Sequence, residues 1–235
     1  MTLQSLLKFM HRNRARMASL KKLSVFLNSA DIIPLLMTTV SIRPMIKSLG
    51  HRLSRLRNLE AAEIGTSQMN AFSIEETLME SLAKMKKITS LTIGIPDNQN
   101  KINVIAKKLG HLKWIRKLNL NFYVENASIK PILNILKCCS RLQELTINLK
   151  DCIVNTEIIM KLSEVIKKMR KLACLVIHLE NTLIEDAELK YLYDTIENES
   201  KVGSFKICTK GCPNLTWLTR AKIYARRNMS TNEIR

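Results

Sequence analysis

The sequence predicts an α/β fold: a stack of about seven strand–helix units, a solenoid whose curved parallel sheet carries helices on its convex face. Three observations predict it. An apolar motif h-x-x-h-x-h-x-h returns every 27 to 30 residues. Each copy alternates apolar and polar residues as a half-buried strand does, and a stretch with helical spacing follows. A unit repeating at this period cannot bury its own apolar face and must stack on its neighbours.

The strong copies run in order. Ile88, Leu91, Ile93 and Ile95 form the first, then Ile115, Leu118, Leu120 and Phe122, then Leu142, Leu145, Ile147 and Leu149. Leu172, Leu175, Ile177 and Leu179 follow, and Val202, Phe205 and Ile207 make a shorter last copy. The second position advances from Leu91 through Leu118, Leu145 and Leu175 to Phe205, at intervals of 27, 27, 30 and 30. Two weaker copies, Leu20-x-x-Leu23-x-Val25 and Leu56-x-x-Leu59, extend the array backwards at intervals of 36 and 32. Between strands, Ile102, Val104, Ile105 and Leu109 recur at helical spacing, as do Ile129, Ile132, Leu133 and Leu136. Ile158, Ile159, Leu162, Val165, Ile166 and Met169 make the clearest stripe. Helix signals agree: Ser73 with Glu76 reads as a capping box, Asn155 or Thr156 can cap the long helix, and Gly110 can end the one before Trp114.

The strand motif Ile115-x-x-Leu118-x-Leu120 and its equivalent Leu142-x-x-Leu145-x-Ile147 resemble the L-x-x-L-x-L strand of leucine-rich repeats of the ribonuclease-inhibitor-like kind. That family places an Asn or Cys three residues after the last of these positions, where this chain has Pro96, Tyr123, Lys150 and Glu180; the resemblance is to a degenerate version. It implies a protein-docking solenoid. The segments are an N-terminal arm or cap over 1–19, the solenoid over 20–212 and a basic tail over 213–235. Apolar residues make up 46% of the chain and mean hydropathy is −0.04, which fits a globular protein.

Net charge is +18, but residues 60–200 carry only +1, whereas 1–59 carry +10 and 201–235 carry +7. Three clusters stand out as candidate contacts to RNA phosphate or another anionic partner: Arg12, Arg14, Arg16, Lys21 and Lys22; Arg52, Arg55 and Arg57; Arg220, Lys222, Arg226 and Arg227. Concentrated cations suit a polyanion, because each phosphate neutralised releases condensed counterions. Aromatic content of 5% argues against base stacking on the sheet. Residues 1–30 hold no acid, and Leu3, Leu6, Leu7, Met10 and Met17 lie near one helical face. Such an arm fits a mitochondrial targeting peptide, an RNA-threading arm, a helix on a membrane surface, or a cap on the open end of the stack. The longest uncharged apolar-rich run, residues 32–42, contains Pro34 and is too short to span a bilayer.

Signatures of catalysis are missing: there is no Gly-rich phosphate loop, Gly-x-Ser-x-Gly or His-Glu-x-x-His, and His11, His51, His111 and His178 are isolated in sequence. The six cysteines contain no Cys-x-x-Cys; Cys208 and Cys212 could supply half a zinc site without a second pair, and the thiols read as packed in a reducing compartment. We therefore expect no enzyme activity, no cofactor, no metal and no small-molecule substrate. Strand residues that face outward should stack into columns, one running Thr92, Asn119, Thr146, Val176, Lys206 and the next Gly94, Asn121, Asn148, His178, Cys208. Arg116, Asn119, Asn121, Gln143, Thr146, Asn148 and His178 form the candidate concave docking face. The functional expectation is a structural and interaction subunit of a large ribonucleoprotein, a mitochondrial ribosomal protein on the matrix side that meets rRNA and other subunits of the complex. The alternatives are an accessory subunit of a mitochondrial inner-membrane complex, in membrane contact without a transmembrane segment, and a repeat-based protein-binding adaptor, which allows a cytoplasmic location.

Overall fold

A computed structural model describes residues 8, 11–13, 19–27, 47–48, 51–52, 55–56, 58–66, 79–81, 87–124 and 127–216. Seven parallel strands follow one another in a single sheet in strict sequence order. They are β1 (Lys22–Leu27), β2 (Ala61–Thr66), β3 (Ser90–Pro96), β4 (Lys117–Tyr123), β5 (Glu144–Asn148), β6 (Cys174–His178) and β7 (Ser204–Cys208). Among the described residues the sheet is open, with β1 and β7 at its edges. Helices α1 (Gln99–Leu109), α2 (Lys130–Leu136), α3 (Thr156–Lys168) and α4 (Asp186–Asp194) join the later strands, and α4 widens into a π-helical turn over Thr195–Glu199. The architecture is therefore α/β, as the repeat predicts. No described helix is long and apolar enough to cross a membrane.

The register places the repeat's second positions side by side: Leu91 against Leu118, Leu118 against Leu145, Leu145 against Leu175, and Leu175 against Phe205. Inward strand residues and the apolar stripes of the helices merge into one core reaching from Leu56 to Leu215. Packing thus extends past 212, into the segment expected to be tail. Every stripe residue predicted for α2 and α3 is buried; in α1 Val104 is half-exposed. One weak copy was framed wrongly. Leu59 precedes β2, and the residues paired with Leu91 and Ile93 are Ala62 and Ile64. The true frame is Leu59-x-x-Ala62-x-Ile64, which a search for large apolar residues passes over. The expected capping box at Ser73 and the apolar run over 32–42 lie outside the described residues.

Caps divide by mechanism. Asn155 begins α3, its Oδ1 accepting from the Ile158 amide at 3.0 Å, and Asn98 does the same for α1 with the Lys101 amide at 3.1 Å. Gly110 ends α1 with φ −60°, an ordinary helical value. The neighbouring unit comes close there: a Cβ would lie 2.9 Å from Ile135 Cδ1, the end of a side chain that can turn aside.

Two backbone devices lock the units in register. Just before each of β1 to β5 one carbonyl accepts two successive amides of the following unit: Lys21 from Glu60 and Ala61, Glu60 from Thr89 and Ser90, Thr89 from Arg116 and Lys117, Arg116 from Gln143 and Glu144, Gln143 from Ala173 and Cys174; before β6, Ala173 accepts from Ser204 alone. Beyond the strands, Asp151 (φ 60°), Asn181 (φ 58°) and Gly211 (φ 79°) turn the chain at equivalent places. Asn181 Nδ2 donates to Asp151 Oδ1 at 2.8 Å. The next residues, Cys152, Thr182 and Cys212, are buried. Cys152 Sγ donates to the Phe122 carbonyl at 3.5 Å, Cys212 Sγ to the Leu179 carbonyl at 2.9 Å, and Thr182 Oγ1 to the same carbonyl at 2.8 Å. The loop-bonding side chain therefore sits two residues beyond Lys150 and Glu180, where the repeat comparison looked for it.

Four buried side-chain oxygens among the described residues lack a hydrogen-bond partner: Asn119 Oδ1, Ser163 Oγ, Glu180 Oε2 and Thr195 Oγ1. Ser163, in the middle of α3, is fully buried and its hydroxyl has no hydrogen-bond partner. Ser163→Ala removes that desolvated oxygen and is expected to stabilise the protein by about 1 kcal/mol, read as a higher urea midpoint with unchanged slope; a loss of stability would contradict this account.

Candidate nucleic-acid interface and the exposed strand face

Register sorts charge in a way that chain order hides. The third position before each strand start runs Ser19, Asn58, Lys87, Trp114, Arg141, Lys171 and Lys201, all exposed. Contacts confirm that neighbours in this column touch. Lys87 Nζ donates to Asn58 Oδ1 at 2.9 Å, and the Arg141 guanidinium lies 4.2 Å from the centre of the Trp114 ring. Lys113, Arg116 and Arg170 are exposed along the same edge. Its two acids at the strand starts are occupied, Glu60 by Lys21 at 3.5 Å and Glu144 by Lys117 at 2.5 Å. None of Lys87, Lys113, Arg116, Arg141, Arg170, Lys171 and Lys201 is ion-paired among the described residues. Strands spaced about 4.8 Å apart make this a row of cations along one side of the sheet. A segment that sums to +1 by sequence thus carries a basic edge.

Cations on the helical side are treated differently. Lys167 reaches Glu199 at 2.7 Å, Lys108 reaches Glu80 at 2.7 Å, Lys161 reaches Glu164 at 3.3 Å, and Lys130 pairs with Glu157. The Lys161 hydrogen bond lowers the Glu164 pKa, and the Glu199 hydrogen bond raises that of Lys167. Desolvation, then the Lys161 and Lys168 cations, lowers that of Lys137. That surface is laced with mixed charge, whereas along the strand-start edge cations outnumber the two acids, both of which are already paired.

The N-terminal clusters come together in part. Arg52 Nη1 lies 3.5 Å from His11 Nδ1, so the turn carrying Arg12 sits beside the one carrying Arg52 although forty residues separate them. Arg12, Lys21, Lys22 and Arg55 are exposed and Arg52 is half-buried. Arg14, Arg16, Arg57, Arg220, Lys222, Arg226 and Arg227 lie outside the described residues.

Both outward columns form as expected: Thr92, Asn119, Thr146, Val176 and Lys206 are successive partners, and so are Gly94, Asn121, Asn148, His178 and Cys208. Their polar residues are half-buried except the exposed Lys206, and Asn148 Nδ2 donates to Asn121 Oδ1 at 3.4 Å. Asn119 Oδ1 is buried without a partner. Arg116 and Gln143 are not on this face: each precedes its strand and belongs to the basic edge. Nor are all thiols packed inside. Cys174 and Cys208 sit half-exposed on the outward face, and Cys138 is exposed, while burial and then the adjacent Cys138 raise the Cys139 thiol to about 11. The pairing of Cys208 with Cys212 dissolves, because Cys212 points into the core. Instead Cys208 neighbours His178, and Glu180, in the turn just past β6, contacts the His178 ring. The donor atoms of His178, Glu180 and Cys208 lie within 4.8 Å of one another. Glu180 lies in the turn just past β6, where strand alternation no longer applies, so the strand pattern does not single it out.

No protein-family model matches the sequence, and no characterised relative does. Among solved structures, a structural-genomics target from Bacteroides fragilis is 11% identical, covers 91% of this chain and 72% of its own, and has a TM-score of 0.45. The apo homocysteine methyltransferase MmuM of Escherichia coli is 12% identical over 91% of this chain and 98% of its own, with a TM-score of 0.29. Likenesses this distant carry nothing about function.

Proposed function

We propose that this chain is a non-catalytic leucine-rich-repeat-like solenoid that docks on structured RNA as a subunit of a large ribonucleoprotein, the mitochondrial ribosome being the concrete assembly. The observation that carries the reading is the basic edge. Solubility asks only for mixed charge, which the helical surface has, and gives no reason for one-signed cations at the same place in successive units. An extended phosphate backbone does, since contacts along a row each release counterions. The contact of the Arg52 and His11 turns adds to it by gathering two arginine-bearing segments near the start of the array. Trp114, held under Arg141, offers one aromatic face within the row. The outward strand columns, small and largely uncharged, then serve protein neighbours. An acid-free first 30 residues supports the mitochondrial setting.

Binding to a structured RNA, followed by fluorescence anisotropy across a salt series, tests this reading. Replacing Lys87, Arg141, Lys171 and Lys201 together with Ala is expected to weaken binding about 100-fold at 0.15 M salt and to flatten the log K against log salt slope by about 3. Binding that is insensitive to salt, or unchanged in the quadruple variant, would overturn it. Purification from the native cells should recover rRNA with ribosomal proteins. Recovery of inner-membrane complex subunits without RNA would favour the accessory-subunit alternative.

A further inference from the structure

On the outward face near the last strand, three donor types of a transition-metal site meet, and we infer that His178, Glu180 and Cys208 bind one divalent cation of the zinc class. This goes beyond RNA docking and does not rest on it. The backbone sets the arrangement. Parallel register puts His178 beside Cys208, and the turn after β6 brings the Glu180 carboxylate back to His178. His178 Nδ1 and Glu180 Oε1 are already 3.0 Å apart. Donors around a tetrahedral zinc lie about 3.3–3.7 Å from one another, given bond lengths of about 2.0–2.3 Å. With no pair beyond 4.8 Å, side-chain rotation of about 1 Å closes the set.

A second observation points to a cation. Glu180 Oε2 is buried and makes no hydrogen bond, so the folded protein leaves an anionic oxygen desolvated and unsatisfied. A metal ion would take that lone pair. Charge also balances: a carboxylate, a thiolate and a neutral imidazole sum to −2 against +2. Binding forms one S–metal bond, and the Cys208 thiol releases one proton to solvent, with no change of oxidation state. Thiolate and imidazole favour zinc over magnesium or calcium, whose sites are built of oxygen. Three protein ligands leave a fourth position for water, and the site's half-exposed residues give solvent access to it.

The test uses the full-length chain, reduced, stripped with chelator and titrated with Co²⁺ and then Zn²⁺. One equivalent of Co²⁺ should bind with a thiolate-to-cobalt charge-transfer band, and Zn²⁺ should displace it. Cys208→Ser should abolish the band, whereas Cys138→Ser should keep it. His178→Ala and Glu180→Gln should each weaken binding at least tenfold while the circular dichroism of the metal-free protein stays unchanged; these two variants carry the test if Cys208→Ser fails to fold. No band in the unmodified chain, a band that persists in folded Cys208→Ser, or affinity in His178→Ala and Glu180→Gln as high as in the unmodified chain would overturn the site and leave a His178–Glu180 ion pair.

Discussion

Leu175→Ala is expected to cost about 3–5 kcal/mol, measured as the shift in urea unfolding free energy. Leu175 is fully buried, and its strand is paired on both sides, with Leu145 and Phe205 as its register partners. Truncation leaves a void that two neighbouring units and their helices cannot collapse into without shifting the strand register. The same substitution at Leu23 is expected to cost about 1 kcal/mol. Leu23 is half-buried on the first strand and, among the described residues, has a strand neighbour on one side only. The contrast follows from stacking: an inner unit is held by two interfaces and an end unit by one. Equal costs at the two positions would contradict it.

Gly211→Ala should be the other severe change, at about 2–3 kcal/mol. Gly211 has φ +79°, where an alanine Cβ meets the following carbonyl. The added Cβ would also lie 2.1 Å from Asn181 Oδ1. Moving that amide aside breaks its bond to Asp151 Oδ1, so a clash at the last turn reaches two units back. The contributions separate by experiment. In an Asn181→Gly background the clash is gone and Gly211→Ala should cost only about 1 kcal/mol, the backbone part alone. An undiminished cost there would show that the side-chain contact is irrelevant.

The strands from Ile88 to Ile207 were legible because each alternates large apolar with polar residues and each period is short. β2 was misframed for the converse reason: Ala62 is small, and Leu56 and Leu59 imitate the motif one step early. Asn155 as a cap could be read from its side chain alone. The close approach at Gly110 could not, because it arises from Ile135 of another unit. The outward columns were correctly assigned since register follows from period. Applying that period to residues before the strands would have exposed the basic edge. Counting charge by segment instead averaged Lys87, Arg141 and Lys171 with the acids of residues 60–200. The metal-binding trio needed both register and facing, and Glu180 was read only as a departure from a consensus.

Sequential strand order has a topological consequence. Every strand finds its hydrogen-bonded neighbour one unit away, across 27 to 39 residues of chain, from Leu91 to Leu118 at the shortest and from Leu23 to Ala62 at the longest. Loop-closure entropy grows only with the logarithm of length, so the longest of these loops costs about 0.3 kcal/mol more than the shortest. No pairing joins the two ends of the sheet. The entropic charge for adding a strand is therefore independent of how many are already in place, and the array can be lengthened without any closure becoming harder than the last.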